Sequence, residues 1–561
     1  MTSYAQLPIA EPPQGTAKSS EHEQLKSAQS LPERRFFRSA NALHTAISVA
    51  AGTVMTLFGY EQGVFGGIIL GRDFLEYFDD PSPAMQGFLT SVYDLGCFGG
   101  AILALFVGER LGRKRMLIVF TVIMGVGILL QTASQNVTQM VWGRIIAGVG
   151  NGGNTATAPV WHVETSHQSA KGKAVVKEMA VNVLGFVLSN FVTLAFSGVM
   201  TEAQWRFPLG IQLVFVAMIL AMVPTLPESP RWLLARGRDD EARQVLSLLN
   251  DQDAEDEYDQ IRSSVKAEQA AQGSWSQLLR GGLATRRMLL GMLLQIAQQL
   301  SGINVLAYYL PVVLHRSVGL PQLTARIVAA ANSVSFWLTT SASILFVDRL
   351  GRRPLLLGGA GLMAFAFLGV AIGVGVGLAD PDSRGPGIAA TVCIWLFFAS
   401  FSLSGWISIP WLYPAEVNSL KFRTKGAALA TACDWLFNYV VVQTTPPGIH
   451  HLRWGLYLVY AVLNAAFVPL VYYLVVETQG KSLEDTDRWF EQNRGWLVHR
   501  VNESSYASMA TANGRGLRTL HIADDHEAMM RAFDDSADEG DGSLFEAGSP
   551  VSRRGSYPLA D

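Results

Sequence analysis

Charge is withheld from this chain in about twelve stretches of roughly 20 residues each, and that pattern leaves few ways to fold. A helix of that length crosses a hydrocarbon layer ~30 Å thick. Inside such a layer every backbone N–H and C=O must find its partner within the protein. The expected fold class is therefore an all-α membrane protein. The apolar spans fall at 45–69, 84–107, 116–134, 139–160, 174–198 and 207–226, then at 288–314, 324–347, 354–378, 387–413, 426–448 and 454–476. Only 16% of the 561 residues are charged, against about 25% in an ordinary soluble chain.

The remaining polar sequence sets the organisation. It divides the chain into an N-terminal tail (1–43), a six-span set (44–226), a linker (227–287), a second six-span set (288–476) and a C-terminal tail (477–561). The linker contains RWLLARGRDDEARQVLSLL, whose apolar residues recur at helical spacing, as in short amphipathic helices lying at a membrane surface. Beyond about Ser504 the tail offers little apolar surface and is expected to be disordered. Basic residues crowd two short loops, as Arg110, Arg113, Lys114 and Arg115, and as Arg349, Arg352 and Arg353. The loop after the first span carries Asp73, Glu76, Asp79 and Asp80 against one arginine. The positive-inside bias then places both termini and the linker in the cytoplasm. No apolar leader precedes the first span, so that span is expected to be its own insertion signal. Neither sequon, at Asn136 or Asn502, is expected to be glycosylated, the first loop being very short and the second lying in the tail.

The two sets repeat one another. LFVGERLGRKRM (Leu105 to Met116) returns as LFVDRLGRRPLL (Leu345 to Leu356). Glu164 precedes Lys171 as Glu416 precedes Arg423, and PESPRWLL and VETQGKSLED close the two sets. Glu109 and Asp348, Glu164 and Glu416, Glu228 and Glu477 stand 239, 252 and 249 residues apart. A duplicated membrane chain points to a transporter with its site between the halves, near mid-membrane. A net charge of −3 gives no sign of a nucleic-acid partner. Cys97, Cys393 and Cys433 lie in apolar spans without metal-ligand spacing and read as packing residues. No nucleotide loop or nucleophile–base constellation suggests an enzyme, and no cofactor is expected. The Gly148 to Gly153 segment reads as close helix packing.

Glu61 lies within an apolar span, where a carboxylate is costly and usually functional, and Arg144 in the fourth span is its natural cation. The pair could instead be purely structural. Gln298, Gln299 and Asn304, with Gln295 one turn earlier, put several amides into one span. Amides offer donors and acceptors to hydroxyl groups without a charge. Asp434 and Asn438 stand one turn apart in DWLFN.

In order along the chain, FGYEQGVFGG, GERLGRKR, GRIIAGVGNGG, PESPRWL, QQLSGINVLAYY, DRLGRR, IPWLYPAEV and ETQGKSLED resemble the motifs of the sugar porter family of the major facilitator superfamily, with loops and tail in the fungal style. The resemblance covers residues 45 to about 490. It implies twelve helices in two pseudo-symmetric six-helix bundles, a central sugar site and alternating access. It implies that Glu61, where the family has Asp, faces Arg144 and carries a proton in coupled members, although facilitators keep the acid too. It gives Gln298, Gln299, Asn304, Trp411 and Asn438 as sugar contacts, and Tyr308 and Tyr309 as residues closing the site from outside. Asp434 stands where the family usually has Asn; it could bind a hydroxyl or a proton, or only pair with a neighbouring helix. Glu109, Arg110, Arg113, Glu164, Glu228 and Arg231, with Asp348, Arg349, Arg352, Glu416, Arg423 and Glu477, resemble charge networks that lock the cytoplasmic face. These arginines could equally serve topology alone.

Three departures bear on the substrate. Met179 stands where the family has Gln, with Asn182 one turn on; Ile407 and Ser408 replace Gly-Pro, which should stiffen that helix; and Asn332 is a loose candidate for the eighth-span amide. The resemblance thus implies a monomeric plasma-membrane carrier of sugar and H+, a hexose first. A facilitator, a carrier of a disaccharide, pentose, polyol or cyclitol acid, and a non-transporting sugar sensor are the alternatives.

Overall fold

A computed structural model describes residues 39–166, 171–250, 254–271, 273–380, 382–481 and 483–498. The described residues are almost wholly helical. Twelve helical elements run alternately up and down: α1 (Ala40–Ile68), α2 (Pro83–Leu111), α3 (Arg113–Thr132), α4 (Val137–Glu164), α5 (Lys171–Ala195), α6 (Ala203–Thr225), α7 (Leu283–Ser317), α8 (Gln322–Leu350), α9 (Arg352–Ala379), α10 (Gly385–Leu403), α11 (Arg423–His451) and α12 (Trp454–Leu474). Ten of them are long and apolar enough to cross a membrane; α4 and α11, of 28 and 29 residues, are the two richer in polar groups. Phe106, Phe365, Ile388 and Val462 are more than 60% exposed (64, 64, 62 and 61%). Apolar surface this open belongs against lipid. The expected all-α, twelve-helix architecture is the observed one.

Both arginine-rich hairpins lie at one face, called here the hairpin face. The linker folds there too, into helices Pro230–Ala235, Asp239–Leu249, Ala254–Ala271 and Trp275–Leu279. Asp239–Leu249 buries Ala242, Val245, Leu246 and Leu249 in the core of the first set. The N-terminal tail to residue 38 and the C-terminal tail from 499, with Asn502, lie outside the described residues. Asn136, the other sequon residue, is the N-cap of α4, and its side chain accepts from the Gln139 N–H at 2.9 Å.

Small residues set how closely the first set packs. A Cβ on Gly148 or Gly152 of α4 would lie 2.2 Å from the Tyr93 carbonyl oxygen or 2.0 Å from that of Cys97, both on α2. Close packing is thus what this glycine run provides. Gly59 on α1 is tighter still, its Cβ position being 1.7 Å from the Asn182 carbonyl oxygen of α5. Backbone cannot yield as a side-chain tip does. Gly59→Ala is therefore expected to cost at least the ~1–3 kcal/mol of ordinary overpacking. The yield of monodisperse protein on size exclusion in detergent checks this.

Two spans are broken, and each break lies beside residues that line the central cavity, Ile303 after the first and Ile407 within the second. In α7 the chain turns at Ser301 and Gly302, the latter at φ +88°, before Ile303 restarts the helix. Asn464 of α12 donates to the freed Ser301 carbonyl at 2.8 Å. The second break corrects an expectation. With Ile407 and Ser408 in place of Gly-Pro, the helix after α10 should run straight. Instead it is interrupted between Leu403 and a short helix, Ile409–Val417. Gly405, at φ +72°, supplies the turn, and Pro410 sits second in the new helix, within the first turn where its missing N–H costs nothing.

Candidate functional site

The duplicated motifs fold into duplicated devices at the hairpin face. Glu228 Oε1 accepts from the backbone N–H groups of Arg113 (2.9 Å) and Lys114 (3.2 Å) at the start of α3. Glu477 does the same for Arg352 (3.0 Å) and Arg353 (2.9 Å) at the start of α9. Each carboxylate thus caps a helix N-terminus, where the helix dipole favours an anion. Burial pushes the Glu228 carboxyl above its ordinary range, and the N–H groups of Ser229, Lys114 and Arg113 oppose that shift. Arg113 reaches Glu164 with two bonds, at 3.0 and 3.1 Å, and Arg352 reaches Glu416 at 3.3 Å. Ser229 and Thr478 then donate to Glu164 and Glu416, each at 2.6 Å.

These pairs each close within their own half. Arg231 turns instead to Glu268 of the linker, at 2.6 Å. Glu109 serves through its backbone carbonyl, which accepts from the Trp232 indole at 2.9 Å and from Arg236. Arg110 and Arg349 are exposed. Arg423 heads α11 with its Nε and one terminal nitrogen unpaired. The side chain of Asp348 lies outside the described residues.

Hydrogen bonds that cross between the two sets cluster toward the opposite face. Ser91 donates to the Gln443 side chain at 2.8 Å, and Gln443 to the Ala84 carbonyl at 3.2 Å. Arg326 donates to the Thr193 carbonyl at 3.2 Å, and Gln322 to that of Leu70. The far face is therefore sealed, and Tyr308 and Tyr309 are fully buried in the seal. Tyr309 Oη donates to the Val442 carbonyl at 3.1 Å.

Below this seal lies a central cavity of about 70 Å3. All six residues expected at the substrate site line it: Gln298, Gln299 and Asn304 from α7, Trp411, and Asp434 and Asn438 from α11. Their polar groups form one chain. Gln299 donates to Asp434 at 2.6 Å, and Asn304 donates to Gln299 at 2.5 Å and to Asn438 at 2.7 Å. Gln298 is committed through its amide N–H to the Trp406 carbonyl at 2.7 Å, exposed by the break before Ile409; its Oε1 has no partner. Met179 and Asn182 of α5, and Ile407, also line the cavity. Asn332 and Gln295 are buried but do not reach it.

Sequence reasoning missed the aromatic walls, Phe58, Phe186, Phe336, Phe401 and Trp435, and the amide of Gln62. Phe58 and Trp435 meet edge to face across the two sets, 5.6 Å between centroids. Alternate apolar residues of a buried helix give no sign of which one faces a cavity. Asp94, also missed, is different: it stands within an apolar span, the same signal that marks Glu61.

Glu61 and Arg144 meet beside the cavity, 2.7 Å apart and both fully buried. The guanidinium also donates to the Thr90 carbonyl at 2.8 Å and lies over the rings of Phe65 (4.2 Å) and Tyr93 (4.9 Å). One Glu61 oxygen, Oε2, has no hydrogen-bond partner, although the Gln131 and Gln212 amides approach the group.

Two pseudo-symmetric sets of six membrane helices around a central polar cavity define a transporter of the major facilitator fold. The chain belongs to the sugar (and other) transporter family, whose model matches residues 46–490. It is 43% identical over 464 residues to the MFS-type transporter oryC of Aspergillus oryzae, covering 81% of this chain and 86% of that one. It is 32% identical over 515 residues to the sugar transporter STL1 of Saccharomyces cerevisiae, covering 88% of each. Among solved structures, its fold is similar to the proton:xylose symporter XylE bound to 6-bromo-6-deoxy-D-glucose, with a TM-score of 0.68, 24% identity and coverage of 80% of this chain and 99% of that one.

Proposed function

We propose that this chain carries a neutral polyhydroxylated substrate, a hexose first, across a membrane by alternating access, together with a proton. The observation that carries the substrate reading is the continuous amide–carboxylate chain Asn438, Asn304, Gln299 and Asp434 along one wall of the central cavity, with Trp411 also in the lining. Amides and a carboxylate take hydroxyl groups as donors and acceptors, and an aromatic face accepts the C–H side of a sugar ring. The cavity lining holds a carboxylate and no cation. Its oxygens take hydroxyl donors, which the acceptor-only carboxylates of uronates and cyclitol acids do not offer, so neutral sugars and polyols are the substrates of choice.

Glu61 and Arg144 are the coupling pair: protonating Glu61 frees the arginine, and losing the proton restores the ion pair. Tyr308 and Tyr309 form the far gate. The two charge arrays at the hairpin face come together when that face closes, and their modest bonds suit a contact that must re-form each cycle. We place the hairpin face and both termini in the cytoplasm, and a monomer in the plasma membrane.

Counterflow into liposomes holding the purified chain tests the substrate reading. Loaded D-glucose should draw in labelled D-glucose, neutral hexoses should compete, and glucuronate and quinate should not. Competition by the acids but not by hexoses would overturn it.

A further inference from the structure

Asp94 stands on α2, fully buried, between the coupling pair and the sugar-site amides. Its Oδ1 accepts from the Tyr308 hydroxyl at 3.1 Å and from the Asn438 amide at 3.2 Å. Its Oδ2 is buried and has no hydrogen-bond partner. Both donors belong to the second set of helices, so these bonds cross the interface sealed at the far face. Asn438 in turn lines the cavity and accepts from Asn304.

The titratable and charged groups facing Asp94 are Glu61 from α1, Arg144 from α4, Tyr308 and Tyr309 from α7 and Asp434 from α11, with Tyr93 and Cys97 on α2 itself. Arg144 is the one cation in that group, and its terminal nitrogens are committed, NH1 to Glu61 and NH2 to the Thr90 carbonyl. An ionised Asp94 would hold a buried charge with two neutral donors on one oxygen and none on the other. Burying such a charge costs far more than burying the neutral acid. A neutral carboxyl keeps both bonds at Oδ1 and places its proton on Oδ2. Opening the far face must part α2 from α7 and α11, which breaks these bonds and admits water.

We propose that Asp94 is a second proton-binding residue of the transport cycle, taking a proton onto Oδ2 at the step in which the far face closes. The proton comes from far-face water and returns to water when the carboxyl is next hydrated; one O–H bond forms and breaks. The need for it differs from that at Glu61, which has a cation 2.7 Å away. The inference rests on the transport reading above for its place in a cycle, but the proton itself can be observed without sugar.

The test is infrared difference spectroscopy of the purified full chain in lipid, stepped from alkaline to acid pH, on the wild type and on Asp94→Asn, Asp94→Glu, Glu61→Gln and Asp434→Asn. A protonated-carboxyl absorption should appear on acidification, persist in part in Glu61→Gln and in Asp434→Asn, lose one component in Asp94→Asn and shift that component in Asp94→Glu. Identical spectra from the wild type and Asp94→Asn would overturn the proposal, as would a component present at every pH. If Asp94→Asn does not fold, Asp94→Glu decides: a shifted component supports the proposal and an unshifted one overturns it. A chain that moves no sugar fails the transport reading alone, because these spectra require none.

Discussion

Glu61→Gln is expected to abolish concentrative uptake while exchange of labelled for unlabelled sugar persists at a reduced rate. The amide keeps the shape of the side chain but can neither release a proton nor hold Arg144 by charge. One pH unit across a membrane is worth about 1.4 kcal/mol, or a tenfold concentration ratio. That ratio should fall to one in the variant, as read by labelled sugar in liposomes under an imposed pH gradient. Arg144→Leu should be more severe. It leaves Glu61 buried without its cation, and removing one partner of a buried pair costs about 3–5 kcal/mol. Little folded protein is expected, and restoring the charge as Arg144→Lys should recover folding better than function, since a lysine has no second arm for the Thr90 carbonyl.

Gln299→Leu carries the second large effect. Gln299 is the middle of the polar chain, donating to Asp434 and accepting from Asn304. Removing it leaves one Asp434 oxygen and one Asn304 N–H short of a partner, and strips the cavity of an amide. Orphaned buried polar groups cost about 1–3 kcal/mol each. A rise in KM on the order of 10- to 100-fold is expected, with a smaller change in maximal rate, measured by counterflow. Asp434→Asn, which restores the residue type usual in sugar porters, should be mild for neutral hexoses and should admit anionic sugars that the native cavity rejects. Equal exclusion of glucuronate by both forms would show that the carboxylate does not set charge selectivity.

What was legible in the sequence follows from what each signal depends on. Span length and charge depletion depend only on hydrocarbon thickness, so the twelve helices could be read directly. The duplication was legible because its polar residues cap and pair the same elements twice: Glu228 and Glu477 both sit on helix N-termini, and Ser229 and Thr478 both hold the acid that binds the hairpin arginine. Polar residues in apolar spans marked the polar wall of the cavity, and Gln298, Gln299, Asn304, Asp434 and Asn438 do converge there.

Two things were not legible. The helix expected to stiffen at Ile407 breaks instead, because Gly405 supplies the turn, and a glycine two residues before the usual pair carries no label of its φ. The partners of the hairpin charges carry no mark in the sequence: Arg113 pairs with Glu164 and Arg352 with Glu416, each within its own half. Composition records which charges are present, but not which of them join.

The most direct test of proton-coupled sugar transport is uptake of labelled D-glucose by cells lacking their own hexose carriers, with and without a protonophore. The account predicts accumulation above the external concentration that the protonophore collapses to equilibrium, and that Glu61→Gln never attains. Uptake that only equilibrates, and that neither the protonophore nor Glu61→Gln alters, would contradict it and leave the buried Glu61–Arg144 pair as a structural contact in a passive carrier.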